Sequence, residues 1–380
     1  MFADRRSAWP LLLLALTPLG AAAEDLPLFQ DHEILEAVLA APIAQAYEQK
    51  LADKRVDFPG RWSYIDADGE TAQLDVSIRT RGNFRRDHCD LAPLQLNFKK
   101  SQVKGTLFAG QDKLKLVAPC FNSSRFQNYV VLEYLAYRTL QILTDHGYRT
   151  RLIRLSYVDS DQKLPSWTAV TFVIEDDGDM ADRLGLERIR LPSVNFADLD
   201  HEKTALAELF QLLIGNNDYS VLEAEDGENC CHNSDVLATG ESAPKIPIPF
   251  DFDFSGLVDA PYAAPPHNLP IDSVRFRYYT GLCQPPGVLE SAIAHVQSKR
   301  GEIMALFENF PELSQNDRRA AARYVGVFFD ILDNPARLKR LVLGRCRGKD
   351  MLEQMMQLSG NETSQRKGKI PAAIVRAGPG

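Results

Sequence analysis

Positive charge is in deficit. The chain has 43 Lys and Arg against 51 Asp and Glu, a formal net charge of −8. With no basic domain or arm to release counterions, it does not read as a nucleic-acid binder, and its net charge argues against tight association with anionic lipid. Long apolar runs are equally scarce. Residues 9–19, behind Arg5 and Arg6, have about half the length a bilayer crossing needs. Followed by Ala21, Ala22 and Ala23, they read as a signal peptide over 1–23, in preference to an uncleaved anchor. The expected product is exported, periplasmic or secreted, with no stable membrane span. Cys-x-x-Cys spacing is missing among the six cysteines, which removes the usual zinc sites. In an exported chain an even count favours disulfides, with 15 pairings open. A bond between the neighbours Cys230 and Cys231 would be strained, so each is expected to have a distant partner. Internal repeats and low-complexity blocks are also absent.

What remains is the composition of an ordinary globular protein, 45% hydrophobic and 25% charged, in 380 residues that can hold one large or two ordinary domains. Apolar spacing predicts an amphipathic helix over 31–52, using Ile34, Leu35, Val38, Leu39, Ile43 and Tyr47. Alternation around an Asp-Gly turn predicts a hairpin of 61–65 with 72–78, and further strands are expected at 94–98, 113–117, 150–158 and 167–174. Between them, 126–143 is the strongest helical pattern. Helices follow at 177–184 and 200–214, stopped by Gly185 and Gly215, then at 289–307, 315–332 and 336–343. The order is α+β, a sheet-rich part over 24–176 and a mainly helical part over 177–360, with a disordered tail over 361–380.

Chemistry concentrates in three polar clusters: Gly215-Asn216-Asn217-Asp218, then His232-Asn233, then Pro249-Phe250-Asp251-Phe252-Asp253. On an extended segment Asp251 and Asp253 share a face, and two carboxylates at the exit of a buried strand are costly unless a cation lies between them. An Asp, then an Asn, then an Asp at a strand end is the order in which protein-kinase-like enzymes place the hydroxyl-orienting carboxylate and the metal ligands.

These residues resemble the CotH-like branch of atypical kinases and, more distantly, the HipA kinases. The likeness runs through residues 210–218, His232-Asn233 and 247–253. Upstream, Arg79-Thr80-Arg81-Gly82-Asn83-Phe84-Arg85, the basic strands 94–100 and 113–116, and the acidic strand end at Glu175 are similar to that family's nucleotide lobe. The resemblance implies a two-lobed protein-kinase-like fold, with a sheet-rich N-lobe and a mainly helical C-lobe. It implies ATP or another nucleotide with Mg²⁺ or Mn²⁺ as cofactors, and an exported or envelope protein as substrate. Asp218 would orient or deprotonate the attacking hydroxyl, Asn233, Asp251 and Asp253 would hold metal, Lys115, Arg79 and Arg81 would meet phosphates, and Glu175 would lie near the base. Two departures stand out: Asp218 and Asn233 are fifteen positions apart, against about five in ordinary kinases, and no Gly-x-Gly-x-x-Gly loop is present.

Plainer readings stay open for the same residues: surface ion pairs for Arg79 and Arg81, a solvated strand face for Lys113 and Lys115, helix capping for Glu175-Asp176-Asp177, and disulfide scaffolding around His232. Two other functions also stay open. One is a non-catalytic secreted binding or scaffold protein. The other is a haloacid-dehalogenase-type phosphatase, which shares the Asp-x-Asp strand end but needs a later Lys and acidic pair.

Overall fold

A computed structural model describes residues 26–52, 54–224 and 227–367, with side chains through 358. The expected signal peptide lies outside the described residues. Seven strands open the fold: β1 (Leu35–Ala41), β2 (Phe58–Ile65), β3 (Thr71–Thr80), β4 (Leu94–Phe98), β5 (Lys113–Val117), β6 (Thr150–Asp159) and β7 (Trp167–Ile174). They are interleaved with the short helices α1 (Ile43–Glu48), α2 (Phe84–His88) and α3 (Lys100–Val103) and the long α4 (Ser124–Leu143). After α5 (Asp177–Leu184) come β8 (Glu187–Arg188), α6 (His201–Ile214), β9 (Ser234–Ala238) and β10 (Ile246–Pro249). The rest is helical: α7 (Val288–Ser298), α8 (Arg300–Asn309), α9 (Gln315–Asp333), α10 (Pro335–Leu338) with a π-helical turn Lys339–Leu343, and α11 (Lys349–Lys367). Among the described residues no strand follows β10. No helix is long and apolar enough to cross a membrane among the described residues. Helix α11 carries the chain past residue 361, where the sequence suggested a disordered tail.

The first seven strands close into a barrel, in the order β1-β2-β3-β4-β5-β7-β6. This overturns the two-lobed, protein-kinase-like fold with its open N-lobe sheet. The residue-level cause is β1. Residues 34–41 fit a helical spacing, but they also alternate: Leu35, Ala37, Leu39 and Ala41 face inward, while Glu36 and Val38 face out. Helix is confined to Ile43–Glu48, after Pro42, which takes the N-cap position. The freed strand pairs antiparallel with β2 and parallel with β6, so it closes the gap that would otherwise leave two edges. The seam is tight. A Cβ at Gly60 would lie 2.7 Å from that of Ala41 and 2.9 Å from the Ala40 carbonyl oxygen, so only glycine fits there.

Inside the barrel Trp62, Phe98 and Phe108 pack edge-on or tilted against one another, so the interior is a filled core. A second core lies outside the wall. Helix α4 packs against Phe172 of β7 on one side and, through that core, against α6, α8 and α9. Its ends follow local rules: Ser123 caps α4, Asp200 caps α6 through Lys203 N–H, and Gly215 ends α6 with φ +66°.

The cysteines pair as Cys89–Cys120, Cys283–Cys346 and Cys230–Cys231. The last pair corrects the expectation of distant partners, because the other four cysteines are already joined to one another.

Candidate functional site

Three loops meet at one end of the small sheet β10-β9-β8, and strand register explains how. Pro249 of β10 stands opposite Ser234 of β9, so the next residues outward, Phe250 and Asn233, are also opposite, and Phe250 N–H donates to the Asn233 carbonyl at 3.1 Å. Asp251 follows directly. The third loop enters from α6: Ser220 N–H donates to the His232 carbonyl, and Gly256 and Leu257 donate to the carbonyls of Gly215 and Ile214. Asp218, Asn233, Asp251 and Asp253 are thereby brought together from segments far apart in the chain.

Asp218 is held by two neighbours. His232 Nε2 lies 2.9 Å from Oδ1, and Asn233 Nδ2 donates to Oδ2 at 3.0 Å and to the Asp218 carbonyl at 2.8 Å. With its amide nitrogen committed to Asp218, Asn233 turns its side-chain oxygen the other way. Asn233 and Asp251 both sit in the left-handed region, at φ +50° and +60°. Asn and Asp tolerate that region, but it carries a local cost, and such strain concentrates at sites where a side chain must be aimed.

The Asp-Phe-Asp segment is not a continuous strand. β10 ends at Pro249 and the chain turns at Asp251, whose N–H donates to Tyr137 Oη of α4 at 3.0 Å. Phe252 is fully buried between Tyr137 and Phe210 and pins the turn. The two acids therefore differ. Asp253 is buried, accepting from Arg85 Nε at 2.9 Å and from Tyr262 Oη at 3.0 Å. Asp251 reaches solvent, and among the described residues no group donates to its carboxylate.

Arg85 and Glu133 complete the site, and neither was assigned a role from sequence. Arg85 Nη2 donates to Glu133 Oε2 at 2.6 Å, so one buried guanidinium bridges Glu133 and Asp253. Burial pushes the Glu133 carboxyl up to about 8; Arg85 opposes the shift, while Asp253 and Asp251 add to it. The same physics raises Asp251 to about 6. Desolvation by the surrounding protein comes first, then the charge of Asp253 and, less strongly, Asp218, against lowering by Arg85 and Arg81. Asp251 thus reaches solvent on one side while the Asp253 and Asp218 carboxylates and Arg85 crowd it on the other. Arg85 is in contact with two acids, Glu133 and Asp253, and acts with Arg81 on a third, Asp251.

Glu133 had a visible signal: it is a lone acid on the apolar side of α4, between Val130 and Ala136. Arg85 was less visible, one of several arginines in a polar turn.

Of the expected nucleotide contacts, Arg81 is close enough to lower the Asp251 carboxyl, and Lys115 Nζ lies 5.9 Å from the ring centroid of Phe250, the residue before Asp251. Arg79 faces Asp57 at 3.9 Å on the surface. Lys115 stands on the outer barrel wall, paired with Asp177 and lying 4.6 Å from the Tyr148 ring centroid. There Asp177, Arg188, Asp235 and Tyr148 form a self-satisfied cluster. Glu175 is fully buried, bound by Arg183 at 2.5 Å and accepting from Arg149 N–H at 2.8 Å. Asp176 caps α5 through Gly178 N–H.

Among the described residues no three His, Cys, Asp or Glu side chains form a metal-holding group by themselves. The donors that do converge, an unpaired carboxylate and a neutral amide oxygen beside a second carboxylate, suit a hard cation that keeps water and phosphate oxygens for its remaining positions, as Mg²⁺ does.

No family model matches the chain. No curated protein matches it either.

Proposed function

We propose that this protein catalyses metal-assisted phosphoryl transfer from a nucleotide to a hydroxyl of an exported or envelope protein. The proposal rests on the site residues and their resemblance to the CotH-like kinases, and it is independent of the kinase fold, which the chain lacks. The observation that carries it is the charge imbalance at the site. Arg85 and Arg81 are the two positive charges felt at Asp251, beside Asp253 and Asp218, while Glu133 is pushed toward its neutral form, leaving a surplus of carboxylate charge that a divalent cation would offset.

In this reading Asp251, the Asn233 amide oxygen and the remaining oxygen of Asp253 hold Mg²⁺ or Mn²⁺. When bound, the metal would supply positive charge to neutralise the nucleotide phosphates. The chain's own residues do the rest. Arg85, buried and doubly paired, fixes Asp253. Tyr137 fixes the backbone of Asp251. Asp218, oriented through both carboxylate oxygens, receives the acceptor hydroxyl and takes its proton. Arg81 meets phosphate charge at the site. The expected location is the exported compartment.

A thermal-shift titration with Mg-ATP and Mn-ATP tests the reading. The wild-type chain is stabilised and Asp251→Ala is not, whereas Asp218→Ala keeps the shift and loses ³²P transfer by about 10²-fold or more. No shift in the wild type sinks the proposal. A shift without transfer in the wild type would leave a nucleotide-binding protein with no catalysis.

A further inference from the structure

Beside the site lies a surface of which the phosphoryl-transfer reading uses only Arg81. Four arginines gather there from three segments: Arg55 ahead of β2, Arg79 and Arg81 at the end of β3, and Arg86 on α2. Strand pairing assembles them. Phe58 stands opposite Ile78, which puts Asp57 beside Arg79, and Arg55 Nη2 reaches the Gly82 carbonyl at 3.4 Å. Counter-charge is thin: Asp57 meets Arg79 only at 3.9 Å, and Asp87 pairs with Arg86 at 3.0 Å. Besides Asp251, which Arg81 acts on from the site side, two carboxylates thus face four guanidinium groups. The crowding is felt at Arg55, held below the usual range by partial burial and then by Arg86, Arg79 and Arg81, with only Asp87 opposing. In a chain of net charge −8 such a concentration is local and asymmetric.

An aromatic platform adjoins it and leads inward. Phe84 is 37% exposed and stacks on His88 with centroids 4.2 Å apart. It also meets Phe254 at 5.3 Å and Tyr262 at 5.5 Å, and Tyr262 is the residue that donates to Asp253. Helix α2 therefore has two sides: Arg85 points into the site, while Phe84, Arg86 and His88 belong to the surface beside it.

We propose that this arginine and aromatic surface docks the protein acceptor, recognising a segment rich in Asp and Glu that flanks the hydroxyl delivered to Asp218. The inference rests on the transfer reading for the identity of the acceptor, though not for the binding itself. Guanidinium groups suit carboxylates because they bind them in a bidentate fork, and their spread over three segments suits an extended chain better than a compact anion. The carboxylates of the site oppose a polyphosphate backbone, which needs a continuous cationic track that a chain of this charge does not offer.

Fluorescence anisotropy with the full chain and labelled peptides of about a dozen residues is the test. Three peptides share a central Ser in acidic, neutral or basic surroundings. The acidic peptide should bind at least about 10-fold tighter than the neutral one, and the preference should shrink as salt rises from about 50 to 300 mM. The pair Arg55→Glu and Arg86→Glu should remove that preference while leaving the Mg-ATP thermal shift unchanged, so a misfolded variant is recognised at once. Phe84→Ala, which alters no charge, should weaken all three peptides. Equal binding of the acidic and neutral peptides, or an unchanged preference in the double variant, overturns the proposal. So does competition by ATP, single-stranded oligonucleotide or anionic vesicles that outranks the acidic peptide and depends on Arg55 and Arg86. Peptide binding that survives in a protein giving no Mg-ATP shift would retain the docking surface and discard the transfer reading.

Discussion

If Asp251 holds a cation as proposed, a proton would compete for the same carboxylate, and a pH dependence follows. In the folded protein its carboxyl is raised to about 6, against the ordinary 3.8, through desolvation and the neighbouring Asp253. Between those two values the folded chain holds a proton that the unfolded chain has released. Stability contributed by this group therefore falls as pH rises through that window, and a bound cation offsets the loss. Affinity for Mn²⁺ should rise by up to about 10-fold per unit from pH 5 to about 6 and flatten above it. Calorimetric titration across pH 5–8 measures this, and Asp251→Asn should abolish the acid-side slope. A slope that persists in Asp251→Asn would assign the titration to another group. At this scale the sequence was legible in part. Asp218, Asn233, Asp251 and Asp253, which the fold brings together, stand out in the sequence because they are polar residues at a helix end and at the ends of short apolar strands. Arg85 was not recognisable, since a buried guanidinium that bridges two acids and an exposed one in a surface patch have identical neighbours in sequence. The partners of Lys115 and Glu175, Asp177 and Arg183, were equally hidden: they are set by the packing of α5 against the barrel and cannot be read from spacing.

Elements show the same division. Strands β3 to β7 and helices α4, α5 and α6 follow from alternation, periodicity and glycine stops, and their bounds lie within a few residues of the sequence reading. β1 did not, because Leu35, Val38 and Leu39 satisfy a helical spacing over a window where Leu35, Ala37, Leu39 and Ala41 satisfy the strand period. Only long-range pairing decides between the two, and β2 and β6 lie 20 or more residues away. The error was costly because β1 is the closing strand. Its position makes a sharp prediction for hydrogen exchange. An edge strand protects alternate amides, whereas a strand paired on both sides protects successive ones, so the amides of residues 36–41 should exchange slowly as a continuous block. Val38→Pro removes one of these ladder donors from a doubly paired strand. It should destabilise the protein by about 3 kcal/mol or more in urea denaturation. Alternating protection with a tolerated proline would mean that the barrel is open at this seam.

For the whole molecule the question is whether barrel and helices are separable, as a sheet-rich part and a helical part divided near residue 176 would suggest. No disulfide crosses that point: Cys89–Cys120 lies before it and the other two lie after. Coupling is instead carried by side chains. α4 precedes the division, yet its apolar faces belong to the core formed with α6, α8 and α9. Arg85 bridges Glu133, also before it, to Asp253, 168 residues further on, and Asp251 hangs from Tyr137 of α4. Separating the parts would expose one side of α4 and leave buried charges without partners, a loss of about 3–5 kcal/mol for a broken buried ion pair alone. The two parts should therefore unfold together despite lacking a covalent tie. The chain supplies its own probes: Trp62 and Trp167, the tryptophans among the described residues, belong to the barrel, while far-ultraviolet circular dichroism is dominated by the helices. In urea the tryptophan and dichroism transitions of a chain beginning at residue 24 should coincide in midpoint and slope. A tryptophan transition that lags behind a completed loss of helix would show a barrel able to stand alone, and would confine the coupling through Arg85 to the native site.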